Sequence, residues 1–422
     1  MSQKRLNILI GFILLLSVCV NAFTRNSELN IGFSLRGHFW FMLAVVIYVF
    51  FVSNNFRDVF KRKFSIIFST YFFLYLCYSV YLGNEYVFIK ADIARILFLL
   101  SGIVIPYLIT FRRKIIFERY IYIIFFFLLL SYYIYLKNFS GFHLRYSGYT
   151  IGFLHQLFLP VLFFGLSYNR LTNKSNRTNY LLLIIVFTYG AFFGKFRAVV
   201  LAIIIGLLFL INFNFRNDSK LFGSFINFSK SSFNFTIPIL LVITLYYTFP
   251  NIIESDNYRV SVLESDNYRL FEAAYVFQEY IEPNLLFGRG FGTYFITPKG
   301  EIETDVHLGV FSLLLKFGLI SVCLLLLLLS NYFIKYFIHS RSRKWLFKEP
   351  VLLLVPSLTI WFIYTVVAKG LFPESLFGLG LSIGLYLKNK ALIKSAMYMP
   401  IQPILKSSPT AGPGTAYSII RS

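Results

Sequence analysis

Long apolar runs recur along nearly the whole chain, and they restrict the fold more than any other feature of the sequence. A segment of about 17–25 apolar residues can cross a bilayer, and about twelve runs of roughly that size are present. They lie near 7–23, 38–53, 64–82, 93–111, 119–136, 150–168, 180–194, 198–214, 234–249, 308–329, 351–368 and 375–388. Because backbone polar groups in lipid must be satisfied within the segment, these runs predict helices. The sequence therefore predicts an all-α, polytopic integral membrane protein.

The charge of the chain agrees with this fold. The net charge is +22, yet only 14% of the residues are charged, compared with about 25% in soluble domains. Most of the Lys and Arg residues fall in alternate loops, including residues 57–63, 112–119 and 341–348. The positive-inside rule assigns these loops and both termini to the cytoplasm. Topology and anionic lipid thus account for the basic charge, and no nucleic-acid partner is expected.

One long loop is predicted on the opposite, external side, and it carries more than half of the 18 acidic residues. A loop of this length usually has structure or a function of its own. Its segment NYRLFEAAYVFQEYI has helical spacing of apolar residues, which predicts a short helix over the bundle. The predicted organisation is nine spans in 1–249, the external loop in 250–305, three spans in 306–390 and a cytoplasmic tail in 391–422.

Several cations lie on the external side, where the positive-inside rule disfavours them. Arg145, Arg197, Arg269 and Arg289 are the main examples. Arginine binds phosphate oxygens through two parallel hydrogen bonds, so the group indicates an anionic partner. For any one of them, an interfacial anchor or a salt bridge to a loop carboxylate remains open. The loop also contains the repeat ESDNYRV and ESDNYRL, and the sequence does not decide whether one copy is functional.

Two further features lie near the end of the external loop. The stretch PNLLFGRGFGTYF contains three glycines within five residues, together with Arg289. Glycine permits a tight turn and a close approach of backbone amides to a ligand, although a plain re-entry turn is the alternative. His307 follows in ETDVHLGVF, where an imidazole could accept a proton from a hydroxyl group. An interfacial histidine is the alternative there, and His143 and His155 are competing histidines.

Several common chemistries are missing from the sequence. The chain has no P-loop, no CxxC and no HExxH motif, so neither nucleotide hydrolysis nor a metal site is indicated. No cofactor is predicted.

The order and sidedness of these motifs resemble the O-antigen polymerase and ligase superfamily of membrane glycosyltransferases. The resemblance covers roughly residues 140–330 and is carried by RYSG, GKFRAVV, YRLFEAA, PNLLFGRGFGTYF and DVHLGVFSLLLKFGLIS. The chain departs from the family pattern at Phe196, at Leu308 and at Lys316, which stands where an acid is often found.

The resemblance implies an inverting, metal-independent transfer between undecaprenyl-pyrophosphate-linked oligosaccharides at the periplasmic face of the bacterial inner membrane. His307 would be the general base, and Arg197, Arg269, Arg289 and Arg145 would bind the pyrophosphate or the glycan. The partners implied are the lipid-linked donor and acceptor, the bilayer and a chain-length regulator protein.

Three functions remain open at this point. An O-antigen polymerase is favoured, and a ligase that transfers the glycan to lipid A core is the first alternative. A transporter or flippase of lipid-linked sugars is the alternative of another class. Transporters often have paired interrupted helices and internal repeats, and neither is evident in the sequence.

Overall fold

The computed structural model describes residues 2–24, 35–53, 56, 63–109, 126, 144–171, 177–188, 200–207, 268–269, 271–298, 300–306, 308–339, 349–367 and 373–398. Most of these residues are helical. The principal helices are α1 (Gln3–Thr24), α2 (Leu35–Val52), α3 (Lys63–Tyr81), α4 (Tyr86–Leu108), α5 (Leu144–Leu171), α6 (Arg177–Thr188), α7 (Gly309–His339), α8 (Val355–Val367) and α9 (Pro373–Tyr398). Residues 200–207 are also helical. The all-α class predicted from the sequence is confirmed for the described part of the chain.

The helices overlap the predicted apolar spans, with some differences at their ends. α4 begins at Tyr86 rather than near residue 93, because Asp92, which lies before the predicted run, is buried and paired with Arg95 and Lys316 rather than excluded from the helix. α9 continues to Tyr398, past the boundary placed at residue 390. Among the described residues, Gly309–Tyr336 of α7 is long and apolar enough to cross a membrane, with a mean hydropathy of 2.6. The predicted span at 234–249 lies outside the described residues.

The main hydrophobic core is built where α9 packs between α4 and α5. Glycines make this packing close. Gly378 lies against the backbone of Leu157 in α5, and Gly380 lies against the backbone of Leu99 in α4, with no room for a Cβ at either position. Small residues at helix interfaces let two backbones approach each other, as in membrane helix pairs.

The loop of residues 250–305, which is predicted to be external and is called the external loop below, contains the helix that its apolar spacing predicts. Residues 268–269 and 271–276 are α-helical, and Phe277–Ile281 continues as one π-helical turn. These residues are called the loop helix below. Val276, Ile281 and Phe295 form a second, smaller core with Leu315 of α7. The loop helix thus packs on the first turns of α7.

A short antiparallel hairpin follows the glycine-rich turn. Its strands are β1 (Phe295–Ile296) and β2 (Ile302–Glu303), with Phe295 opposite Glu303. The hairpin places Phe295 in the smaller core and leaves Ile296 and Ile302 exposed. It returns the chain to the start of α7.

Candidate functional site

α7 is interrupted at Gly318, whose φ of 71° and ψ of 174° are not helical. In a continuous helix the amide of residue 319 would donate to the carbonyl of Leu315, and the amide of residue 320 to the carbonyl of Lys316. Both carbonyls instead accept from the glycine-rich turn of the external loop. Arg289 N donates to Leu315 O at 2.8 Å, and Gly290 N donates to Lys316 O at 3.0 Å.

The amides that these carbonyls would have bound are satisfied by the same turn. Leu319 N donates to Leu285 O at 2.7 Å, and Ile320 N donates to Leu286 O at 3.2 Å. Within a continuous helix, the carbonyls of 285 and 286 would have accepted from the amides of 289 and 290. The two segments therefore exchange their helical hydrogen bonds, and each replaces the partners that the other has lost.

The two exchanging segments have matching sequences. LLFG ends at Gly288, LKFG ends at Gly318, and each glycine has a positive φ, 70° and 71°. A Cβ on Gly288 would lie 2.5 Å from Gly318 N, and a Cβ on Gly318 would meet Gly288 N in turn. Glycine is needed at both positions because of the left-handed backbone and because the two chains touch there.

Side chains of α3 and of the residues after it hold the turn from the other side. Tyr78 donates its hydroxyl to Gly288 O at 3.2 Å, and Ser79 Oγ accepts from Phe291 N at 2.7 Å. Asn84 donates to Arg289 O at 2.6 Å and to Phe291 O at 2.8 Å.

Tyr75 of α3 bridges the two exchanging segments. Its hydroxyl lies 2.6 Å from Phe287 O and also within reach of Lys316 O, so it can donate to either carbonyl. The turn is thus fixed against α3 as well as α7.

Four buried charged residues join α4, the end of the external loop and α7; they are called the charge cluster below. Arg95 Nη1 donates to Asp92 Oδ1 and to Asp305 Oδ1, both at 2.9 Å, and Nη2 donates to Asp305 Oδ2. Lys316 Nζ lies 2.6 Å from Asp92 Oδ1 and 3.3 Å from Asp305 Oδ1. Gly292 N donates to Asp92 Oδ2 at 2.8 Å. The cluster contains two positive and two negative groups. It fixes both the glycine-rich turn and residue 305 to α4.

The protonation of Asp305 follows from these contacts. Burial alone would raise its pKa, but the positive charges of Arg95 and Lys316 and their hydrogen bonds outweigh this and hold the pKa well below its ordinary value. Buried charges of this kind are tolerated when they are paired and hydrogen-bonded. Asp305 is therefore ionised near neutral pH and acts as an anchor.

The backbone amides of the turn are directed at the protein. Those of Gly288, Arg289, Gly290, Phe291 and Gly292 all donate to protein acceptors. The hypothesis that these amides cradle a ligand is therefore not supported by the geometry. The half-buried side chain of Arg289 is then the group of the turn suited to bind an anion.

The two predicted arginines within the described loop lie at opposite ends of the loop helix. Arg269 is half-buried in its first turn. Arg289 follows its last turn, and its Cζ lies 5.4 Å from the ring centroid of Tyr280. At a rise of 1.5 Å per residue, the loop helix from Arg269 to Ile281 spans about 18 Å, and Arg289 follows beyond the short 3-10 helix at Glu282–Asn284. They are therefore suited to different parts of a large ligand.

The structure describes only some of the remaining predicted site residues. Arg197 and His307 lie outside the described residues. Arg145 lies in the first turn of α5, where only the backbone is described. Both neighbours of residue 307 are described: Val306 is fully buried, and its amide donates to Ser312 Oγ at 2.7 Å. Leu308 is half-buried, and its carbonyl accepts from Phe311 N at 3.0 Å.

Sequence reasoning missed the charge cluster. Asp92 and Arg95 stand three residues apart in an apolar helix, and Lys316 stands in another. Charged residues within apolar spans are rare and point to function or pairing, so a signal was present. Lys316 was noticed only as a departure from the family pattern, whereas the structure pairs it with both carboxylates of the cluster.

No protein-family model, no curated protein and no solved structure matches this chain.

Proposed function

We propose that the chain is a membrane protein of about twelve spans that polymerises undecaprenyl-pyrophosphate-linked oligosaccharides at the periplasmic face of the bacterial inner membrane. The order of the external motifs suggests this activity. The observation that carries it furthest is the charge cluster, because it fixes the Arg289 turn and the residues just before position 307 to the same helix, α4. A catalytic site requires such fixed support beneath its reactive groups.

In the proposed reaction, His307 accepts the proton of an acceptor sugar hydroxyl. The hydroxyl oxygen then attacks the anomeric carbon of the donor from the side opposite the pyrophosphate. A glycosidic bond forms, the bond from carbon to pyrophosphate breaks, and undecaprenyl pyrophosphate leaves with the anomeric configuration inverted. Fixed guanidinium groups stabilise the charge on the leaving group, the role that a metal has in other transferases.

The arginines divide the proposed substrate between them. Arg289 and Arg269 lie at opposite ends of the loop helix, so one pyrophosphate is not expected to bridge their backbone positions. We assign Arg289, at the bilayer end of the loop, to the lipid-linked pyrophosphate together with Arg197. Arg269 and Arg145 are then assigned to the glycan or to a second lipid-linked unit.

A transporter of lipid-linked sugars is the second candidate, because α7 is interrupted as transporter helices often are. In a transporter the freed carbonyls and helix ends bind the transported ion or substrate. Here the carbonyls of Leu315 and Lys316 and the amides of Leu319 and Ile320 are bonded to the external loop. The interruption is therefore where the loop docks on α7. Because these groups are not free to bind a transported substrate, we prefer the polymerase to the transporter. A ligase would share the same site and differ in its acceptor.

The test is a reconstituted reaction with purified protein, lipid-linked repeat units, a chelator and no ATP. Wild type should lengthen the glycan. His307→Ala should bind donor but lose about 10²–10⁴-fold in rate, which is the usual contribution of a general base. Arg197→Lys keeps the charge but loses the forked geometry, so it should also lose most activity.

Glu301→Gln, at an exposed position of the hairpin, is the matched control and should retain full activity. Transfer only to an added lipid A core acceptor would indicate a ligase. No new glycosidic bond with any acceptor would contradict the proposed transferase activity.

A further inference from the structure

Two large apolar side chains protrude from the glycine-rich turn. Leu286 is 55% exposed and Phe287 is 61% exposed. They lie beside the second half of α7, since Ile320 N donates to Leu286 O. Burial of such apolar surface is the main favourable term in folding and association, so a pair left exposed in a turn indicates a surface that is covered in the working protein.

An exposed apolar face of α7 begins beside this pair. Ile320, Leu324 and Leu327 are exposed at helical spacing and lie on one face. They belong to the helix that is long and apolar enough to cross a membrane. The bond from Ile320 N to Leu286 O places the exposed pair next to the start of this face.

The backbone carbonyls of residues 285–289 all accept hydrogen bonds from protein groups, as a lipid environment requires. The carbonyls of Leu285 and Leu286 accept from α7, and those of Phe287, Gly288 and Arg289 accept from side chains of Tyr75, Tyr78 and Asn84. A water-exposed loop can leave such groups to solvent, whereas irregular backbone at membrane depth is tolerated only where protein satisfies it.

We propose that Leu286 and Phe287 are inserted into the hydrocarbon of the periplasmic leaflet and contact lipid acyl chains. The inference rests on the membrane setting of the proposed function but not on its chemistry. Part of the external loop is then embedded in the membrane and hydrogen-bonded to the interrupted turn of α7.

Insertion also sets the depth of Arg289. Its guanidinium group lies over the ring of Tyr280 in the loop helix. Arginine and tyrosine commonly occupy the headgroup region of a bilayer. Arg289 is thereby placed at the level of lipid phosphates, where a lipid-linked pyrophosphate arrives from the side.

The test is spin labelling of single cysteines in protein reconstituted into phosphatidylcholine vesicles, with oxygen as the lipid-soluble relaxation agent and a nickel chelate as the aqueous one. The chain offers its own reference, because native Cys323 is exposed on α7. The reference variant is Cys19→Ser with Cys77→Ser. The test variant adds Cys323→Ser and Phe287→Cys, and the aqueous control carries Glu301→Cys in place of Phe287→Cys.

We expect the ratio of oxygen to nickel accessibility at position 287 to lie closer, on a logarithmic scale, to that at 323 than to that at 301. A ratio at 287 equal to that at 301 would mean that the turn is in water, and the proposal would be wrong. Low accessibility to both agents at 287 would mean a protein contact, such as a second copy of the chain, and would also overturn it. If position 323 itself reports water, the membrane setting fails rather than the insertion alone.

Discussion

The packing of α9 and the docking of the external loop both bring two backbones together, but they depend on different interactions. α9 lies between α4 and α5 through glycines and apolar side chains. The external loop is attached to α4 and α7 through the charge cluster and the exchanged backbone bonds. Both contacts bring backbone close to backbone. The α9 contact adds a charged side chain, Lys388, which donates to Pro106 O of α4, whereas the loop contact depends on four paired charges and on exchanged backbone hydrogen bonds.

The difference follows from what each contact must hold. Two regular helices keep their backbone groups paired internally, so shape and small residues are enough to join them. A turn that interrupts a helix must supply replacement partners for every freed group. Polar contacts with defined geometry therefore concentrate at the loop, and the loop should be the more sensitive region to changes in charge and pH.

The largest expected effect comes from Lys316→Met, which leaves two buried carboxylates with one cation. Breaking a buried ion pair by removing one partner costs about 3–5 kcal/mol. The matched control is Lys335→Met on the same helix, whose pair with Glu349 is more than one-third exposed on both sides; a surface pair contributes about 0–1 kcal/mol. Thermal unfolding in detergent measures both. Equal effects would show that the cluster does not stabilise the loop contact.

A charge-balanced variant sharpens the same comparison. Asp92→Asn combined with Lys316→Met again leaves equal numbers of positive and negative groups in the cluster. It should be less damaging than Lys316→Met alone, because coupled residues are not additive.

Gly318→Ala should have the next largest effect. A backbone with φ 71° and ψ 174° lies in a region that almost only glycine adopts, which costs another residue about 1–3 kcal/mol, and here the added Cβ would also strike the backbone of the turn. Gly83→Ala is the control, because its φ of 73° is similar and its surroundings are open. The melting temperature of Gly318→Ala should fall further below wild type than that of Gly83→Ala. Equal losses would argue against close contact at the exchange.

The loss of stability caused by Asp305→Asn should depend on pH, whereas the loss caused by a substitution in the α9 contact should not. At pH 7 the variant should lose about 1.5–3 kcal/mol, the range for a hydrogen bond to a charged group. The pKa of Asp305 is lowered in the folded protein. Its stabilising effect is therefore complete above the ordinary pKa of about 4 and is lost as the pH falls through the lowered pKa.

The difference in melting temperature between wild type and Asp305→Asn should thus be constant above about pH 5 and narrow below about pH 4. Gly380→Ala, in the α9 contact, is the control. The difference between its melting temperature and that of wild type should stay the same below pH 4. If the difference in melting temperature between wild type and Asp305→Asn were the same at every pH, the ionised form of Asp305 would not be what stabilises the fold.

The smallest expected effect is that of Tyr75→Phe. It removes the hydroxyl that bridges Phe287 O and Lys316 O but keeps the aromatic packing against Phe291. The loss of one such hydrogen bond costs about 1 kcal/mol. Tyr78→Phe, whose bond to Gly288 O is longer at 3.2 Å, should lose less. A reversed order would assign the bridging role to Tyr78.

Much of the fold could be predicted because apolar length and helical spacing are local signals. The helices of the described spans and the loop helix follow from them. The charge cluster could not be predicted, because its members are separated by up to 224 residues and pair only in three dimensions. Asp92 with Arg95 was the local clue, and it was overlooked within an apolar run.

The candidate site shows the same division. The sequence predicted that the glycines form a tight turn, and positive φ angles at Gly288, Gly290 and Gly292 agree. It did not predict what the turn binds, because LLFG and LKFG reveal their relation only when the two segments are paired. The roles of Arg197 and His307 remain predictions.

The exchange between the turn and α7 conserves the number of backbone hydrogen bonds. Two separate continuous segments would make four such bonds, from residues 285 and 286 to 289 and 290 and from 315 and 316 to 319 and 320. The exchanged arrangement also has four. Docking of the loop on α7 therefore costs no backbone hydrogen bond relative to two continuous helices, because each segment supplies the partners that the other gives up.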